Sequence, residues 1–267
     1  MKKLPVAVGL GAFALAAVGA QGGEVSFTHT MTNGTQSASA TFVFNDDGAT
    51  TTLSIMLTNT MTTNGNPSWL CGLFFDIVGS PTMTYTGLGG DGSDAFNDMV
   101  VLTDGGGNPD TASAYNTVTV DHFWGLNQSI SGGSLPFGDQ QYGLGAAGFG
   151  VFAPSTILNL QAGGPLPQPD GSDGGILSGD LLDAGTIDIP SGHTDRPMVD
   201  GGIWLTFDLG NYDINQADEL VSDVNFVFGT SFGEIVLIPV PMALPVGLAG
   251  LIGVVMARRR LGRIVAG

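Results

Sequence analysis

The fold is decided by residues 25–58, which read VSFTHTMTNGTQSASATFVFNDDGATTTLSIMLT. Apolar and polar side chains alternate along three runs of this stretch, and the period is two residues rather than the 3.6 of an α-helix. The members in the apolar phase are Val25, Phe27, His29, Met31, Phe42, Phe44, Leu53, Ile55 and Leu57. Such alternation predicts antiparallel strands that bury one face and expose the other to solvent.

The same period returns late in the chain, in the runs 203–209 and 224–228. Clusters of Asn, Asp, Gly and Pro separate the runs at 45–48, 63–67, 104–109 and 169–171, and these residue types favour turns. Residues 21–234 are therefore predicted to form a mainly β ectodomain, an antiparallel β-sandwich or jelly roll. The stretches 131–150 and 163–200 are predicted to be long surface loops.

Residues 1–20 have the features of a secretory signal peptide. Lys2 and Lys3 form a positive n-region, and the apolar stretch Val6–Ala17 is short for a membrane span. The small residues up to Ala20 suit signal peptidase, which predicts cleavage after Ala20 and export of the chain from Gln21 onward. An uncleaved N-terminal anchor is the alternative.

The C-terminal segment 235–267 combines prolines, an apolar run and an arginine cluster. The uncharged run Val236–Ala257 is about long enough to cross a hydrocarbon core as a helix. The basic residues behind it are Arg258, Arg259, Arg260 and Arg263. By the positive-inside rule this cluster stays in the cytoplasm, which places the ectodomain outside the cell.

This three-part tail resembles the PEP-CTERM sorting signal of exosortase-dependent surface proteins. The motif position holds Val240-Pro241-Met242-Ala243-Leu244-Pro245, which departs from Pro-Glu-Pro and is similar to Val-Pro-x-Pro variants with additional residues before the second proline. The resemblance implies that an exosortase-like membrane enzyme cuts near the prolines and releases or re-anchors the product. The sorting residues that it implies are Val240, Pro241, Met242, Pro245, Arg258, Arg259 and Arg260. A plain single-pass tail anchor is the alternative.

A weaker similarity to the same group of proteins extends over the ectodomain. It rests on the phrases WLCGLFFDI at 69–77, YGLGAAGFG at 142–150 and VNFVFGTS at 224–231. The similarity implies a β-rich protein of the cell surface or extracellular matrix. It implies no catalytic residues.

Charge is divided sharply between the ends and the middle of the chain. Of seven Lys and Arg residues only Arg196 lies in the predicted exported part, whereas all 24 acids lie there, so its formal charge is −23. A surface of this charge repels nucleic acid and anionic polysaccharide unless cations bridge the two. Nucleic-acid binding is therefore excluded as a function.

The residues that usually carry out nucleophilic catalysis are few. Cys71 is the only cysteine, and it sits in an apolar run, which predicts a buried, inert thiol. His29, His122 and His193 are scattered without a spacing that suggests a catalytic or metal-binding pair. We predict that the protein is not an enzyme. A glycoside hydrolase would need two positioned carboxylates, and an acid-rich chain offers many chance pairs.

Calcium is the one cofactor that the sequence suggests. Hard cations take several oxygen ligands, which loops rich in Asp, Asn and Gly provide. The candidate ligands are Asp91, Asp94, Asp98, Asp104 and Asp110. Neither the EF-hand spacing nor a nonapeptide repeat is present, so ordinary solvated turns are the alternative.

Two roles are compatible with these features. The first is a structural or interaction protein of the cell envelope, associated with extracellular polysaccharide. The second is a carbohydrate-binding module on the cell surface, in which Trp69, Trp124 and Trp204 line a sugar-binding face. Trp204 is out of phase with the apolar residues of its run, which is explained equally well by a position on the opposite side of the strand or by a second buried face.

The calcium hypothesis makes a direct prediction about stability. If calcium is bound in the Asp-rich loops, EDTA lowers the Tm of the protein, because the ligand stabilises only the folded state. Thermal unfolding with EDTA, and again after addition of excess Ca²⁺, measures the effect. An unchanged Tm contradicts the hypothesis and leaves the loops as solvated turns.

Overall fold

The computed structural model describes residues 23–63, 69–89, 99–102, 109–110, 121, 123–128, 140–146, 174–185, 197–229 and 236–239. The predicted mainly β fold is confirmed for this part of the chain, which forms two sheets and one short helix, α1 (Gly179–Asp183). The sorting residues, including Ala20 and Pro241, lie outside the described residues.

The first sheet has five strands in the order β1-β2-β3-β12-β5. Their bounds are β1 Glu24–Asn33, β2 Gln36–Asp46, β3 Thr51–Asn59, β12 Gly202–Asp208 and β5 Thr84–Leu88. Every pair in this sheet is antiparallel. The strands therefore follow the alternating runs of the sequence, and β12 joins the edge of β3 although it lies far away along the chain.

The second sheet has nine strands, with β4 (Leu70–Ile77) at its centre. The other strands are β6 Met99–Leu102, β7 Pro109–Asp110, β8 Gly125–Asn127, β9 Tyr142–Gly145, β10 Ile176–Leu177, β11 Pro197–Asp200, β13 Val221–Phe228 and β14 Val236–Pro239. Pairing is antiparallel except between β10 and β11. Seven of the eight residues of β4 are buried, as in a strand covered on both faces.

The two sheets share one hydrophobic core. From residue 36 to 44 of β2 and throughout β3 the residues alternate between buried and partly exposed, so each strand contributes one apolar side to the core. Phe42 of the first sheet contacts Phe75 of the second, with ring centroids 5.1 Å apart, and Phe75 stacks on Tyr142 at 5.3 Å. These rings join the sheets at the centre of the molecule.

Turn chemistry fixes the register of the first three strands. β1 and β2 are joined by a two-residue loop in which Gly34 takes φ +61°, a conformation that suits glycine. Between β2 and β3, an Asp46 carboxylate oxygen accepts a hydrogen bond from the Gly48 backbone N–H, and Asp47 accepts from Ala49 and Thr50, each at 2.8 Å. A turn is therefore present where the sequence predicts one, but it spans 47–50 rather than 45–48, because β2 continues to Asp46.

The prediction of long surface loops at 131–150 and 163–200 is wrong for several residues. β9 is buried along its whole length, and so are Ile176, Leu177, Met198 and Val199. These strands have only two to four residues, too few for a period of two to be recognised. They are held by pairing with β4 and with one another.

Strand β14 uses the first residues of the apolar C-terminal run. Residues 236–239 pair antiparallel with 225–228 of β13. Val and Ile, the residue types at positions 236 and 238, are common in strands. The apolar run Val236–Ala257 thus begins as a strand of the second sheet rather than as a helix.

The contact between Phe42 and Phe75 predicts a coupling across the sheets. Replacing either ring with alanine is expected to lower the free energy of unfolding by about 3–5 kcal/mol, because a large cavity opens in the core. The double variant is expected to lose less than the two single losses added, by about 0.5–1.5 kcal/mol, because the pair is lost once.

Chemical denaturation of the four proteins measures this coupling. Thr41→Ala is the control, since Thr41 lies next to Phe42 on the other face of β2 and its loss should cost less than about 1 kcal/mol. Strictly additive losses would contradict the packing of the two rings against each other.

Candidate functional site

The candidate calcium ligands are not assembled in the described part of the chain. Asp91, Asp94, Asp98 and Asp104 lie outside the described residues, and Asp110 ends the two-residue strand β7. Among the described residues there is no group of three His, Cys, Asp or Glu side chains that could hold a metal ion. The calcium hypothesis therefore rests on the sequence.

The interior of the second sheet makes Cys71 unreactive, as the sequence predicts. The thiol is fully buried, and its Sγ atom donates to the backbone oxygens of Val227 at 3.4 Å and Gly229 at 2.5 Å. Burial raises the pKa of the Cys71 thiol far above its ordinary value, because the thiolate would be desolvated. Cys71 is therefore a packing residue rather than a nucleophile.

Buried tyrosines and a glutamine hold the connection between β4 and β5, which carries the chain from one sheet to the other. Tyr212 Oη donates to the Val78 carbonyl oxygen at 2.9 Å, and Tyr142 Oη donates to the Pro81 carbonyl oxygen at 2.5 Å. Gln128 bonds both the N–H and the carbonyl oxygen of Met83, at 2.6 and 2.7 Å. These polar side chains hold the backbone of the β4–β5 connection in place and therefore have a structural role.

A partly buried hydrogen bond joins the side chains of Tyr85 and Asp121. Tyr85 Oη donates to Asp121 Oδ2 at 2.6 Å, and the Asp121 side chain is buried. Burial, reinforced by the carboxylate, raises the pKa of Tyr85 well above its ordinary value. A phenol that keeps its proton acts as a hydrogen-bond donor to Asp121, and the pair anchors residue 121 against the first sheet.

The three tryptophans do not form one face. Trp69 and Trp124 are buried in the core, and Trp124 Nε1 donates to the Gly174 carbonyl oxygen at 2.9 Å. Trp204 is partly exposed and lies on the outward side of β12, which is one of the two positions that its phase in the sequence allows. The hypothesis that all three line a sugar-binding surface is therefore wrong, and Trp204 alone remains available for it.

The outward side of the first sheet carries an ordered array of hydroxyl groups. In antiparallel register, Thr28 lies opposite Thr41, Thr30 opposite Ser39, and Thr32 opposite Ser37. We call the array the hydroxyl face; its members are Ser26, Thr28, Thr30, Thr32, Ser37, Ser39, Thr41, Ser54, Thr58 and Thr60. Val43 and Met56 are the apolar residues among them.

Hydrogen bonds between strands order these side chains. Thr28 and Thr41 bond through their hydroxyls at 2.9 Å, Thr32 and Ser37 at 3.0 Å, and Ser37 continues to Thr60 at 2.7 Å. Two longer bonds, Thr30 to Ser39 at 3.4 Å and Ser54 to Thr206 at 3.3 Å, extend the pattern. The threonines of β1 are exposed, and the members on β2 and β3 are partly exposed.

Charged side chains border the hydroxyl face at one end. Glu24 and Asp208 lie in the terminal row of the sheet, in line with Asn45 and Thr52. The rows from Ser26 to Thr32 carry no charged side chain on the described strands. Because the chain has 24 acids, this uncharged surface is distinctive.

The sequence contains the signal for this face, although the pattern alone does not identify it as a site. The polar phase of residues 26–32 is Ser, Thr, Thr, Thr, and that of 37–41 is Ser, Ser, Thr. Within a single strand this phase indicates only the solvated side. The hydroxyls of neighbouring strands lie side by side because of the register between the strands, and that register is seen only in the structure.

Comparison with known proteins gives no family for this chain: no family model, curated protein or solved structure matches it. Among the described residues no helix is long and apolar enough to cross a membrane.

His29 lies on the buried side of β1, between the exposed Thr28 and Thr30, and makes the stability of the protein depend on pH. Its side chain is 6 % exposed, contacts the Phe42 ring edge-on at 5.9 Å, and its Nε2 atom has no hydrogen-bond partner in the described part of the chain. Burial lowers the pKa of His29 from 6.5 to about 4. The folded protein therefore keeps this imidazole neutral at pH values where the unfolded chain protonates it.

The resulting prediction concerns stability between pH 6.5 and 4. The contribution of neutral His29 is complete above pH 6.5 and is lost as pH falls to about 4, with a total of at most ~3 kcal/mol. Denaturation at pH 7.5, 5.5 and 4.5 is compared with that of His29→Met, which fills the site without a titrating group. If both proteins lose the same stability over this range, His29 is not protected from protonation.

Proposed function

We propose that the protein is an exported, acidic interaction protein of the cell envelope or extracellular matrix, with a non-catalytic role. Its ectodomain is an antiparallel β-sandwich of jelly-roll type that presents the hydroxyl face to its surroundings. The observation that carries this proposal is the uncharged hydroxyl array on a chain with 24 acids. In this account, the array makes contacts while the remaining acidic surface keeps the protein soluble.

The route to the surface is part of the proposal. Signal peptidase cuts after Ala20, and the apolar helix behind Pro239 anchors the chain until an exosortase-like enzyme acts near Pro241 and Pro245. The order of prolines, apolar run and arginines supports this route, as does the confinement of nearly all basic residues to the two ends. Strand β14 ends at Pro239, and the proposed motif follows it directly in the sequence.

A surface-displayed carbohydrate-binding module is the second candidate. The specific observation in its favour is that the partly exposed Trp204 lies on the same side of the first sheet as the hydroxyl face. Aromatic rings together with hydroxyls provide apolar contact and hydrogen bonds to sugars. Calcium bound in the Asp-rich loops would add stability in this role without taking part in it.

The sorting proposal predicts two new chain ends. Intact mass and terminal peptide mapping of the protein from its native cells should give a form that begins at Gln21 and ends between Pro239 and Pro245. Added glycan mass would indicate attachment to matrix material. A mature form that still contains residues 258–267 would contradict processing and leave a plain membrane anchor.

A further inference from the structure

We infer that the hydroxyl face binds a neutral, polyhydroxylated polysaccharide laid across β1, β2 and β3. The inference deepens the proposed interaction role by assigning a site and a ligand class. It rests on that proposal, although it does not depend on how the chain is sorted.

The hydrogen-bonding capacity of the face selects the ligand class. Each Ser or Thr hydroxyl has one donor and two acceptor positions. The bond between Thr28 and Thr41 uses one donor and one acceptor, so this pair keeps one donor and three acceptors for a ligand. A sugar hydroxyl donates and accepts and can use both kinds of position, whereas a phosphate or carboxylate only accepts and a metal ion needs only oxygen ligands.

The distribution of charge around the hydroxyl face also favours a neutral ligand. The rows between Ser26 and Thr32 are uncharged, whereas Glu24 and Asp208 lie at one end and the whole chain has a net charge of −17. A polyanion is repelled by the surrounding acids, and a polycation is attracted to those acids rather than to this face. A neutral polymer has neither preference and is recognised by hydrogen bonds and shape.

The face is also ordered before any ligand arrives. Strands lie about 4.8 Å apart and alternate side chains about 6.7 Å apart along a strand, which makes a regular two-dimensional array. Threonine has restricted χ1 rotamers, and the bonds between Thr32, Ser37 and Thr60 restrict them further. Little side-chain freedom is then lost on binding, and a polymer with a repeated unit engages many hydroxyls at once.

Trp204 supplies an apolar contact at the β12 side of the array. Register places it in one row with Met56, Thr41 and Thr28. Its indole packs closely on Gly89, where an added Cβ would come within 2.0 Å of the indole Cδ1 atom. The ring is therefore held in place, and its partly exposed side is suited to the apolar face of a pyranose.

Affinity electrophoresis and pull-down assays test the inference with the full-length chain in a polyoxyethylene detergent, whose head group contains no sugar. The probes are hydroxyethylcellulose, dextran and amorphous cellulose as neutral polymers, with alginate as polyanion and chitosan as polycation. We expect retention by at least one neutral polymer that persists at 0.5 M NaCl, since hydrogen bonds and stacking are not screened by salt. Any chitosan binding should fall at that salt concentration.

Two variants on the face and one away from it locate the site. Thr28→Val with Thr41→Val removes a bonded pair of hydroxyls, keeps side-chain shape and β propensity, and is expected to weaken binding about threefold or more. Ser39→Arg places a long charged side chain amid the array and is expected to weaken binding more than tenfold. Ala184→Arg, at an exposed position after α1, makes the same charge change and should leave binding unchanged.

The inference is overturned if no neutral polymer retains the chain, if only chitosan does, or if the face variants bind as strongly as the parent. It is also overturned if Ser39→Arg abolishes self-association while no polymer binds, because the face would then pair with a second copy. Terminal peptide mapping is read separately, so a failure of polymer binding is distinguishable from a failure of the sorting proposal.

Discussion

The contact between Phe42 and Phe75 is the interaction on which the two sheets depend. It joins the centre of β2 to the centre of β4, and both rings are fully buried. Because side chains along a strand alternate between faces, placing Phe42 inward also places Phe44 and Ala40 inward and turns Thr41 and Ser39 outward. The inward position of Phe42 therefore determines which face of β2 packs against the second sheet.

The hydroxyl face arises from the same constraint. β2 pairs along its length with both β1 and β3, so the inward phase of β2 sets the outward phase of its neighbours. Threonine suits these positions because its branched side chain favours a pleated strand while its hydroxyl faces water. The outward side is therefore regular for the same reason that the core is well packed.

Burial on the inner side also explains why the reactive residue types serve structure. Cys71 donates to the backbone oxygens of Val227 in β13 and of Gly229 just after it, and burial keeps His29 of β1 neutral. The hydroxyls of Tyr142 and Tyr212, two largely buried residues, hold the connection between the sheets. In each case burial favours the uncharged form of the side chain, because a charged form would lose its hydration.

The sequence predicted the long strands because their periodicity is clear over seven or more residues, as in β2, β3 and β12. It did not predict β9, β10 or β11, since two to four residues give no reliable period and their burial depends on partners distant in the chain. The phase of Trp204 was predicted from its own strand, whereas the burial of Trp69 and Trp124 was not. Predicting the hydroxyl face would require knowledge of the register between strands, which the sequence of a single strand does not provide.

Strand β2 turns its apolar residues toward the second sheet and its hydroxyls toward solvent, and both the core and the hydroxyl face depend on this orientation. Thiol labelling of introduced cysteines in the folded protein tests it, with buried Cys71 as an internal background. We expect Ser39→Cys and Thr41→Cys to react rapidly, while Ala40→Cys, which lies between them at 0 % exposure, stays protected until unfolding. Rapid labelling at 40 with protection at 39 and 41 would mean that the strand faces the other way, and would contradict both the core and the hydroxyl face.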